Sequence, residues 1–302
     1  MRVLVTGGAG FIGSAVVRSL LSEGHEVVVA DLKAPEPHPG VRAVVGDLCD
    51  PEVADRALAE GTDAVMHLGA ATSVLRSVSD PAGVYASNVG MTQYLLERCR
   101  TLGGVSFVLA STNAVVGDAM DVDDTHLIDE TAPLAPLTPY GATKAAAEML
   151  ASGYRRAYGM NTVSLRLTNV HGPGVWVKDG LVARLFKAAR AGTGIRINGD
   201  GLQRRDYVYI DDVVAAFAAA AVGGEGWPGT VVVGSGASVT VLELHELVAA
   251  VTGAVIPVEH GQQPAGEMRA VVVDRSRADR LGLGPPVPIP AGLRRTWETW
   301  PE

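Results

Sequence analysis

A glycine-rich turn near the start of the chain constrains the fold more than any other feature. A short apolar run from Val3 to Val5 is followed by Gly7, Gly10 and Gly13, and then by apolar residues at helical spacing. This order predicts a strand, a tight turn and a helix. Glycines lack side chains, so backbone N–H groups and the helix N-terminus can approach a pyrophosphate. The segment therefore predicts the first unit of a dinucleotide-binding sheet.

The second predicted strand, residues 26–30, ends at an acidic residue. Asp31 lies at about the position where a dinucleotide-binding unit carries its ribose-binding carboxylate. A carboxylate there accepts a hydrogen bond from a ribose 2′-OH and repels a 2′-phosphate, so NAD is favoured over NADP. The candidate cofactor residues of this unit are Gly7, Gly10, Phe11, Ile12, Gly13 and Asp31.

A tyrosine and a lysine four residues apart, Tyr140 and Lys144, form a second chemical feature. On a helix these positions lie on one face, so the ammonium group can lie near the phenol. A tyrosine with the usual pKa of about 10 is a poor base at neutral pH, and a fixed cation nearby lowers that pKa. The spacing alone is common on exposed helices. Combined with a dinucleotide site, it predicts Tyr140 as a general base assisted by Lys144.

Apolar runs alternate with helical patterns up to about Leu167. The runs are nearly continuous, as expected of parallel strands that are covered on both faces. The pattern predicts an α/β fold with a doubly wound parallel sheet of Rossmann type. After Asn169, glycine and proline clusters separate a few helices, which is typical of a smaller C-terminal cap. We expect a cofactor domain over 1–170, with a return segment near 206–222, and a substrate-binding cap over 171–302.

Composition excludes several classes of protein. The net charge of −8 argues against nucleic acid or an anionic membrane as a partner, because phosphate contacts need clustered Lys and Arg. Cys49 and Cys99 give neither a disulfide framework nor metal-ligand spacing, so no metal is expected. The N-terminus enters the first strand at once, and the apolar run 213–222 is shorter than the roughly 20 residues that span a bilayer. We therefore expect a cytoplasmic protein without a membrane segment.

Further motifs follow in a characteristic order. Asp47-Leu48 comes after the third predicted strand, His67 to Ala71 ends the fourth, Asn88 lies in a central helix, and Ala110 to Gly117 ends the fifth. With the glycine turn and the Tyr140–Lys144 pair, this order resembles the extended short-chain dehydrogenases/reductases, in the group of nucleotide-sugar epimerases and dehydratases. The resemblance covers nearly the whole chain.

The resemblance implies a role for each of these residues. Thr112 stands at the family's catalytic Ser/Thr position and would hydrogen-bond the reacting oxygen. Tyr140 would take the hydroxyl proton, and Lys144 would hold the ribose. The further cofactor-binding residues that the resemblance implies are Asp47, Leu48, Leu68, Ala70, Asn88, Tyr140 and Lys144.

Two segments of the predicted cap resemble the family's diphosphate-binding motifs. Leu165 to Gly174 is similar to R-x-x-N-V-Y-G-P, which gives Asn169 the diphosphate-binding role. Gly199 to Val208 is similar to G-D-G-x-Q-x-R-D-Y-V, in which Arg205 matches the arginine that grips the same group. The planar guanidinium of Arg205 can donate hydrogen bonds to two phosphate oxygens at once. The candidate substrate-binding residues are Thr72, Ser73, Thr112, Asn113, Tyr140, Asn169, Lys178, Ile195 and Arg205.

The chain departs from the family pattern at two binding positions. Val116 stands where the family usually has tyrosine, so that ring is missing from the sugar pocket. Pro264 to Glu267 occupy the R-P-G-D position, so the second phosphate-binding arginine is missing too. The residues that could replace it are Arg269, Arg196 and Arg184.

A third departure bears on the reaction. Asn113 and Ala114 follow Thr112 where 4,6-dehydratases carry an acidic pair and related decarboxylases carry a glutamate. Dehydration needs an acid to expel the C6 hydroxyl and a base to remove the C5 proton. The sequence thus favours an NAD-dependent 4-epimerase, acting on a UDP-hexose or UDP-hexuronate through a transient 4-keto sugar.

Several alternatives remain open at this point. One is a net NAD(P)-dependent nucleotide-sugar oxidoreductase, such as a 4-ketoreductase. A second is a non-catalytic NAD-binding sensor on the same fold, since fold does not fix function. A hexuronate substrate requires a cation near the sugar C6, for which the candidates are Arg76, Lys178 and Arg184. As in the family, a homodimer is expected through the helices of residues 88–100 and 140–158.

Overall fold

Strands and helices alternate along the chain in a computed structural model that describes residues 1–117, 127–223, 226–262 and 268–301. The strands are β1 (Arg2–Thr6), β2 (Glu26–Asp31), β3 (Val41–Val45), β4 (Ala64–His67), β5 (Ser106–Thr112), β6 (Thr162–Leu167), β7 (Asn169–His171), β8 (Ile195–Asn198), β9 (Arg204–Tyr209), β10 (Thr230–Val233), β11 (Ser238–Thr240) and β12 (Val258–Gly261). The helices are α1 (Phe11–Ser22), α2 (Pro51–Ala57), α3 (Val74–Ser79), α4 (Pro81–Tyr85), α5 (Met91–Leu102), α6 (Pro139–Tyr158), α7 (Leu181–Ala191), α8 (Ile210–Val222), α9 (Val241–Thr252), α10 (Ser276–Arg280) and α11 (Ile289–Glu298). Shorter turns are π-helical at Ala86–Gly90 and 3₁₀ at Asn113–Val115 and Val175–Val177.

The main sheet has seven strands in the order β10-β6-β5-β4-β1-β2-β3. The pairs β1–β2, β2–β3, β1–β4 and β4–β5 are parallel. Strands β2 and β3 are added on one side of β1. The chain then crosses to the other side of β1 and adds β4, β5 and β6 in that direction. In such sheets ligands bind beyond the carboxyl ends of the strands where the order reverses, here between β1 and β4. The predicted doubly wound parallel sheet of Rossmann type is confirmed.

The strands of this sheet are apolar because helices cover both faces. Val27 to Ala30 in β2 and all four residues of β4 are buried. On one face, side chains of β1, β4 and β5 pack with those of α2, α5 and α6 in a single aliphatic core. This packing fixes the carboxyl ends of the central strands, where the candidate residues lie.

Contacts divide the chain into two units. One contains Met1–Gly117, Pro133–Arg166 and Val214–Val231, and the other contains the described residues of Asp118–Ala132, Leu167–Val213 and Val232–Glu302. The segment Val214–Val231 returns to the first unit and overlaps the 206–222 segment expected from sequence. Strand β9 pairs with β7 and β11 in a separate sheet, and β10 supplies the late strand of the main sheet. The short β10 run, Thr-Val-Val-Val, lies between glycine-rich loops, so its pattern is weak.

The second unit has two small sheets. Strands β11, β9 and β7 form one, with β7 and β9 parallel and β9 and β11 antiparallel, and β8 pairs with β12 in the other. Helix α8, the alanine-rich segment, has 13 residues. Within the described ranges, no helix is both long and apolar enough to cross a membrane.

An aromatic cluster lies in the second unit. Phe186 of α7 stacks on Trp297 of α11 with ring centroids 5.4 Å apart, and its centroid lies 5.1 Å from that of Trp300. Trp176, in the turn after β7, meets Trp300 edge to face at 5.8 Å. The cluster joins α7, the chain end after α11 and the Val175–Val177 turn.

Candidate functional site

The glycine turn has the geometry expected of a pyrophosphate cradle. Gly7 has a left-handed φ of 69°, and a Cβ on it would lie 2.7 Å from the backbone nitrogen of Gly69. A Cβ on Gly13 would overlap the carbonyl oxygen of Gly7. Helix α1 begins after Gly10, and no side chain of the described residues caps its N-terminus. The first-turn N–H groups are therefore available to an anion.

Asp31 lies against this turn. Its Oδ2 accepts a hydrogen bond from the Ala9 N–H at 3.0 Å, and its Oδ1 accepts from the Lys33 N–H at 3.1 Å. The carboxylate is thus oriented by the backbone at the end of β2. A carboxylate beside a phosphate-binding turn fits the adenosine ribose of NAD.

The other predicted cofactor residues follow β1, β3 and β4. Phe11 and Leu48 are buried, and Ile12, Leu68 and Ala70 are partly buried. Asp47 is exposed, and its Oδ1 accepts from the Cys49 N–H at 2.9 Å in a local turn. The structure brings these residues to the carboxyl ends of neighbouring strands, and their contact with the cofactor remains a prediction.

Asn88 lies in the π-helical turn and joins two parts of the site. Its Oδ1 accepts from the Ala71 N–H at 2.8 Å, and its Nδ2 donates to the Ala71 carbonyl at 3.1 Å. The same Nδ2 donates to Thr143 Oγ1 at 3.0 Å, and the Thr143 hydroxyl donates to the carbonyl of Tyr140 at 2.8 Å. Asn88 therefore fixes the segment after β4 to the first turn of α6. The binding of NAD by Asn88 remains a prediction.

Tyr140, Lys144 and Thr112 lie together. Helix α6 begins after Thr138, whose side chain accepts from the Gly141 N–H at 3.2 Å, and Tyr140 is in its first turn. Burial raises the pKa of Tyr140, and a hydrogen bond with Thr112 acts in the opposite direction. The lowered phenol pKa expected from sequence is wrong, because burial of the phenol outweighs the groups that favour the phenolate.

Lys144 is almost fully buried, with 4% of its surface exposed. Burial lowers its pKa to about 8, and the charge of Glu148 acts against that shift. The lysine is therefore a cation held in an apolar setting, one helical turn from Tyr140.

His67 is a site residue whose environment the sequence does not reveal. Its ring is buried at the end of β4, with Nδ1 2.7 Å from Thr6 Oγ1 and Nε2 3.0 Å from Thr92 Oγ1. Burial and, to a smaller extent, the charge of Lys144 lower its pKa to about 3. His67 is thus a neutral side chain next to the lysine, and the motif from His67 to Ala71 gives no sign of either threonine.

A buried ion pair behind Lys144 was also missed. Both carboxylate oxygens of Glu148 accept a hydrogen bond from Arg166 Nε at 3.1 Å. Its Oε2 also accepts from Arg166 Nη2 at 2.9 Å. Ser111 donates to Glu148 Oε1 at 2.5 Å. The available signals were a glutamate four residues after Lys144 and an arginine inside an apolar strand, β6.

The candidate sugar-contacting residues of the first unit have different environments. Thr72 and Ser73 are exposed, and Ser73 Oγ accepts from the Arg76 N–H at 3.1 Å as the cap of α3. Asn113 is buried at the start of the 3₁₀ turn that follows Thr112. Arg76 pairs with Asp80 on the surface at 3.4 Å.

The candidate diphosphate residues lie at neighbouring strands of the second unit. Asn169 is exposed, and its Nδ2 donates to the Asp206 carbonyl at 3.0 Å. Arg205 Nη1 donates to the Arg204 carbonyl at 2.8 Å and lies 3.4 Å from the Arg269 carbonyl oxygen. The buried carboxylate of Asp206 holds this region, because it accepts from Thr168 Oγ1 at 2.6 Å and from the Ser235 N–H at 2.8 Å.

Of the three possible replacement arginines, the structure brings Arg269 to Arg205. The Arg269 carbonyl accepts from the Arg204 N–H at 3.1 Å and lies 3.4 Å from Arg205 Nη1, so the backbone of Arg269 lies beside Arg205. Arg184 instead donates to the Arg196 carbonyl at 3.0 Å. The Pro264 to Glu267 motif lies outside the described residues.

Lys178 and Ile195 lie in the same unit. Lys178 follows the Val175–Val177 turn and is exposed as a whole residue, while partial burial of its ammonium group lowers the pKa of that group. Ile195 begins β8 with its side chain buried, so only its backbone is suited to reading a nucleotide base.

Known proteins are similar along nearly the whole chain. Residues 3–234 match the NAD dependent epimerase/dehydratase family. The chain is 34% identical to UDP-glucose 4-epimerase of Mycolicibacterium smegmatis, over 99% of this chain and 98% of that protein. It is 35% identical to dTDP-glucose 4,6-dehydratase of Streptomyces griseus, over 98% and 92%.

A solved structure of Thermus thermophilus UDP-glucose 4-epimerase in complex with NAD has a TM-score of 0.88. It is 34% identical, covering 99% of this chain and 98% of that one. The glycine cradle and Asp31 fit the same cofactor, so the resemblance inferred from the motifs is confirmed. The chain therefore belongs to the NAD-dependent epimerase/dehydratase family of enzymes, with NAD as its cofactor.

Proposed function

We propose that the chain is an NAD-dependent nucleotide-sugar 4-epimerase, which acts on a UDP-hexose or a UDP-hexuronate through a transient 4-keto sugar. The observation that carries the proposal is the placement of the Tyr140 phenol beside Thr112, in the first turn of α6, with the buried Lys144 one helical turn later. These three groups can accept a hydroxyl proton, bind the same oxygen and supply a positive charge.

In this proposal Tyr140 removes the proton from the C4 hydroxyl, and the Thr112 hydroxyl hydrogen-bonds the C4 oxygen. When bound, NAD supplies the acceptor for the C4 hydride. Lys144 provides a fixed cation that favours the deprotonated phenol. The keto sugar would then turn over and take the hydride back at C4 on its other face, while Tyr140 returns the proton to the C4 oxygen, so the reaction has no net oxidation.

The residues after Thr112 support epimerisation over dehydration. Asn113 is a buried amide and Ala114 is apolar, so neither can protonate a leaving C6 hydroxyl. Dehydratases are among the relatives of the chain, which makes this difference informative.

We propose that Asn169, Arg205 and Arg269 bind the diphosphate of the substrate. Arg205 Nη1 lies 3.4 Å from the Arg269 carbonyl oxygen, and Asn169 follows on the neighbouring strand β7. Two guanidinium groups provide the positive charge that a diphosphate requires in an otherwise acidic protein. Arg269 thereby takes the place of the arginine that the Pro264 to Glu267 motif lacks.

The test is turnover of four substrates by pure protein without added NAD. UDP-glucose, UDP-galactose, UDP-glucuronate and UDP-galacturonate are incubated separately, and products are separated by chromatography. We expect interconversion within one pair and no net change in absorbance at the NADH band. If neither pair is interconverted, the proposal is wrong. A stoichiometric absorbance change would indicate a net oxidoreductase, and a 4-keto-6-deoxy product would indicate a dehydratase.

The Tyr140→Phe variant separates an enzyme from an NAD-binding sensor. General-base catalysis contributes about 10²- to 10⁴-fold in rate, so we expect a loss of at least that size with NAD still bound. Phe keeps the ring and removes the hydroxyl. A biological activity that survives this change would favour the sensor.

We also propose a homodimer through α5 and α6. Met149 and Tyr158 of α6 are each more than half exposed, which leaves large apolar surface on the helix. Light scattering of the pure protein should give twice the 31.3 kDa chain mass. A mass of one chain across the micromolar range would contradict this.

A further inference from the structure

A buried carboxylate stands behind the catalytic lysine. Tyr140, Lys144 and Glu148 are spaced by four residues on α6, so they follow one another along one face of the helix. Glu148 has 1% of its surface exposed, and Arg166, which has 4% exposed, binds it through two nitrogens. A buried ion pair contributes little net stability, so its presence beside the site suggests a second role.

We propose that Glu148, held by Arg166 and Ser111, is a positioning residue that sets the place and the charge of Lys144 and, through it, the proton transfer of Tyr140. The proposal rests on the proposed function, because it concerns the same triad. Glu148 itself touches neither the sugar nor the reacting atoms.

The positional part follows from what Glu148 joins. Ser111, which donates to its carboxylate, directly precedes Thr112 on β5, and Arg166 lies on β6. Glu148 therefore fixes α6 to the strand end that carries Thr112. A shift of α6 against β5 would move Tyr140 away from Thr112, and small displacements of catalytic groups are costly in rate.

The electrostatic part follows from the charges that face Lys144. These are Tyr140 and Glu148 on α6, His67 on β4, which stays neutral, and Arg166 on β6 behind Glu148. Lys144 and Arg166 carry two positive charges and Glu148 one negative charge. The protonation of Lys144 and that of Tyr140 both respond to the net charge around them.

Three variants change that charge in known directions. Glu148→Gln keeps the shape and leaves an extra positive charge, so both limbs of the pH–rate profile should move to lower pH by about one unit. Arg166→Met leaves an extra negative charge and should move both limbs to higher pH by a similar amount. The double variant restores the net charge, so its limbs should return to within about 0.3 unit of the native profile while kcat stays reduced.

The measurements are the pH dependence of kcat/KM and an ultraviolet titration of the Tyr140 phenolate, taken as a difference from the Tyr140→Phe protein. The titration needs no substrate, so it tests Glu148 even if the enzyme epimerises none of the four sugars. Glu26→Gln on β2 is the matched control, because it removes one carboxylate from an exposed pair with Arg2 that contains no tyrosine. It should move neither the profile nor the titration.

Opposite shifts in the two single variants, reversed in the double variant, would support the proposal. Limbs that stay in place in both single variants, even with kcat reduced, would overturn it, since Glu148 would then be merely structural. Circular dichroism and thermal unfolding establish which variants are folded. If one single variant does not fold, the other and the double variant make the same comparison.

Discussion

The backbone N–H of Ala9 donates to the carboxylate of Asp31 over 3.0 Å, which fixes the acid at the end of β2 against the glycine turn that follows β1. The Lys33 N–H holds the other oxygen at 3.1 Å. Both carboxylate oxygens keep lone pairs for further donors, because each can accept two hydrogen bonds. A ribose diol is the group of NAD that can supply those donors.

Asp31→Asn should weaken the preference for NAD over NADP. The amide keeps the size of the side chain but loses the charge that repels a 2′-phosphate. A hydrogen bond to a charged group contributes about 1.5–3 kcal/mol, so we expect the ratio of the two dissociation constants to fall by roughly ten- to a hundred-fold. Calorimetric titration of both cofactors measures it. Asp55→Asn, which alters an exposed pair with Arg98, is the control, and an unchanged ratio would contradict the assignment of Asp31.

Thr112→Val should reduce kcat and raise the pKa of Tyr140. The hydroxyl of Thr112 lowers that pKa through its hydrogen bond, and valine keeps the shape without it. Removal of one donor from a reacting oxygen costs about a hundred-fold in kcat. The phenolate titration of Tyr140 should therefore move to higher pH. A shift to lower pH would mean that Thr112 acts on Tyr140 in another way.

Arg269→Met should raise KM much more than it lowers kcat. The diphosphate is bound alike in the ground state and the transition state. Loss of the Arg269 guanidinium therefore weakens the binding of both states equally. We expect KM to rise at least ten-fold for the UDP-sugar, and the change can be measured by steady-state kinetics. Arg184→Met is the control, because Arg184 donates to the Arg196 carbonyl away from Arg205. Equal effects of the two substitutions would argue against Arg269.

Two glycine-to-alanine substitutions should have opposite effects on stability. A Cβ on Gly13 would overlap the Gly7 carbonyl oxygen, so Gly13→Ala should destabilise the protein and disrupt the NAD cradle. Gly153 lies inside α6, and a Cβ on it would have no neighbouring atom within 4 Å, so Gly153→Ala should stabilise the protein by about 0.5–1 kcal/mol. Chemical denaturation measures both. Stabilisation by Gly13→Ala would refute the tight-turn geometry.

His171 should make the protein less stable in acid. Its ring packs edge to face on Tyr209 at 5.5 Å, and among the described residues neither ring nitrogen has a hydrogen-bond partner. Burial lowers its pKa from 6.5 to about 4. The unfolded chain binds the proton first, so stability is full above pH 6.5 and falls as the pH drops toward 4, by about 2 kcal/mol between pH 7 and pH 5.

The His171→Phe variant tests this directly. Near pH 5 the slope of the unfolding free energy against pH should fall by the amount that corresponds to about one proton taken up on unfolding. A dependence of the same kind remains, because His67 is still present. Denaturant titrations at several pH values give the slope. An unchanged slope would show that His171 is protonated equally in the folded and unfolded chain.

The sequence was most informative where a function depends on neighbours in the chain. The glycine turn, Asp31 at the end of β2 and the spacing of Tyr140 and Lys144 are all local patterns, and the structure has each of them in the predicted turn, strand end or helix. Local spacing defines a turn or a helix face directly, so no long-range information is needed.

The remaining features depend on residues far apart in the chain. The Thr6 and Thr92 contacts of His67, and the bond between Glu148 and Arg166, join different strands and helices. The raised pKa of Tyr140 depends on burial by the whole fold, which the four-residue spacing of Tyr140 and Lys144 does not reveal. Periodicity reports neither contact nor burial of a particular polar atom.

The aromatic cluster has a practical consequence for spectroscopy. Three of the four tryptophans, Trp176, Trp297 and Trp300, belong to it, and Trp227 is in the other unit. A Trp227→Phe protein would emit only from the cluster. Since Trp176 is two residues from Lys178, its fluorescence would respond to events at that turn, so the chain carries its own optical probe of the proposed sugar-binding segment.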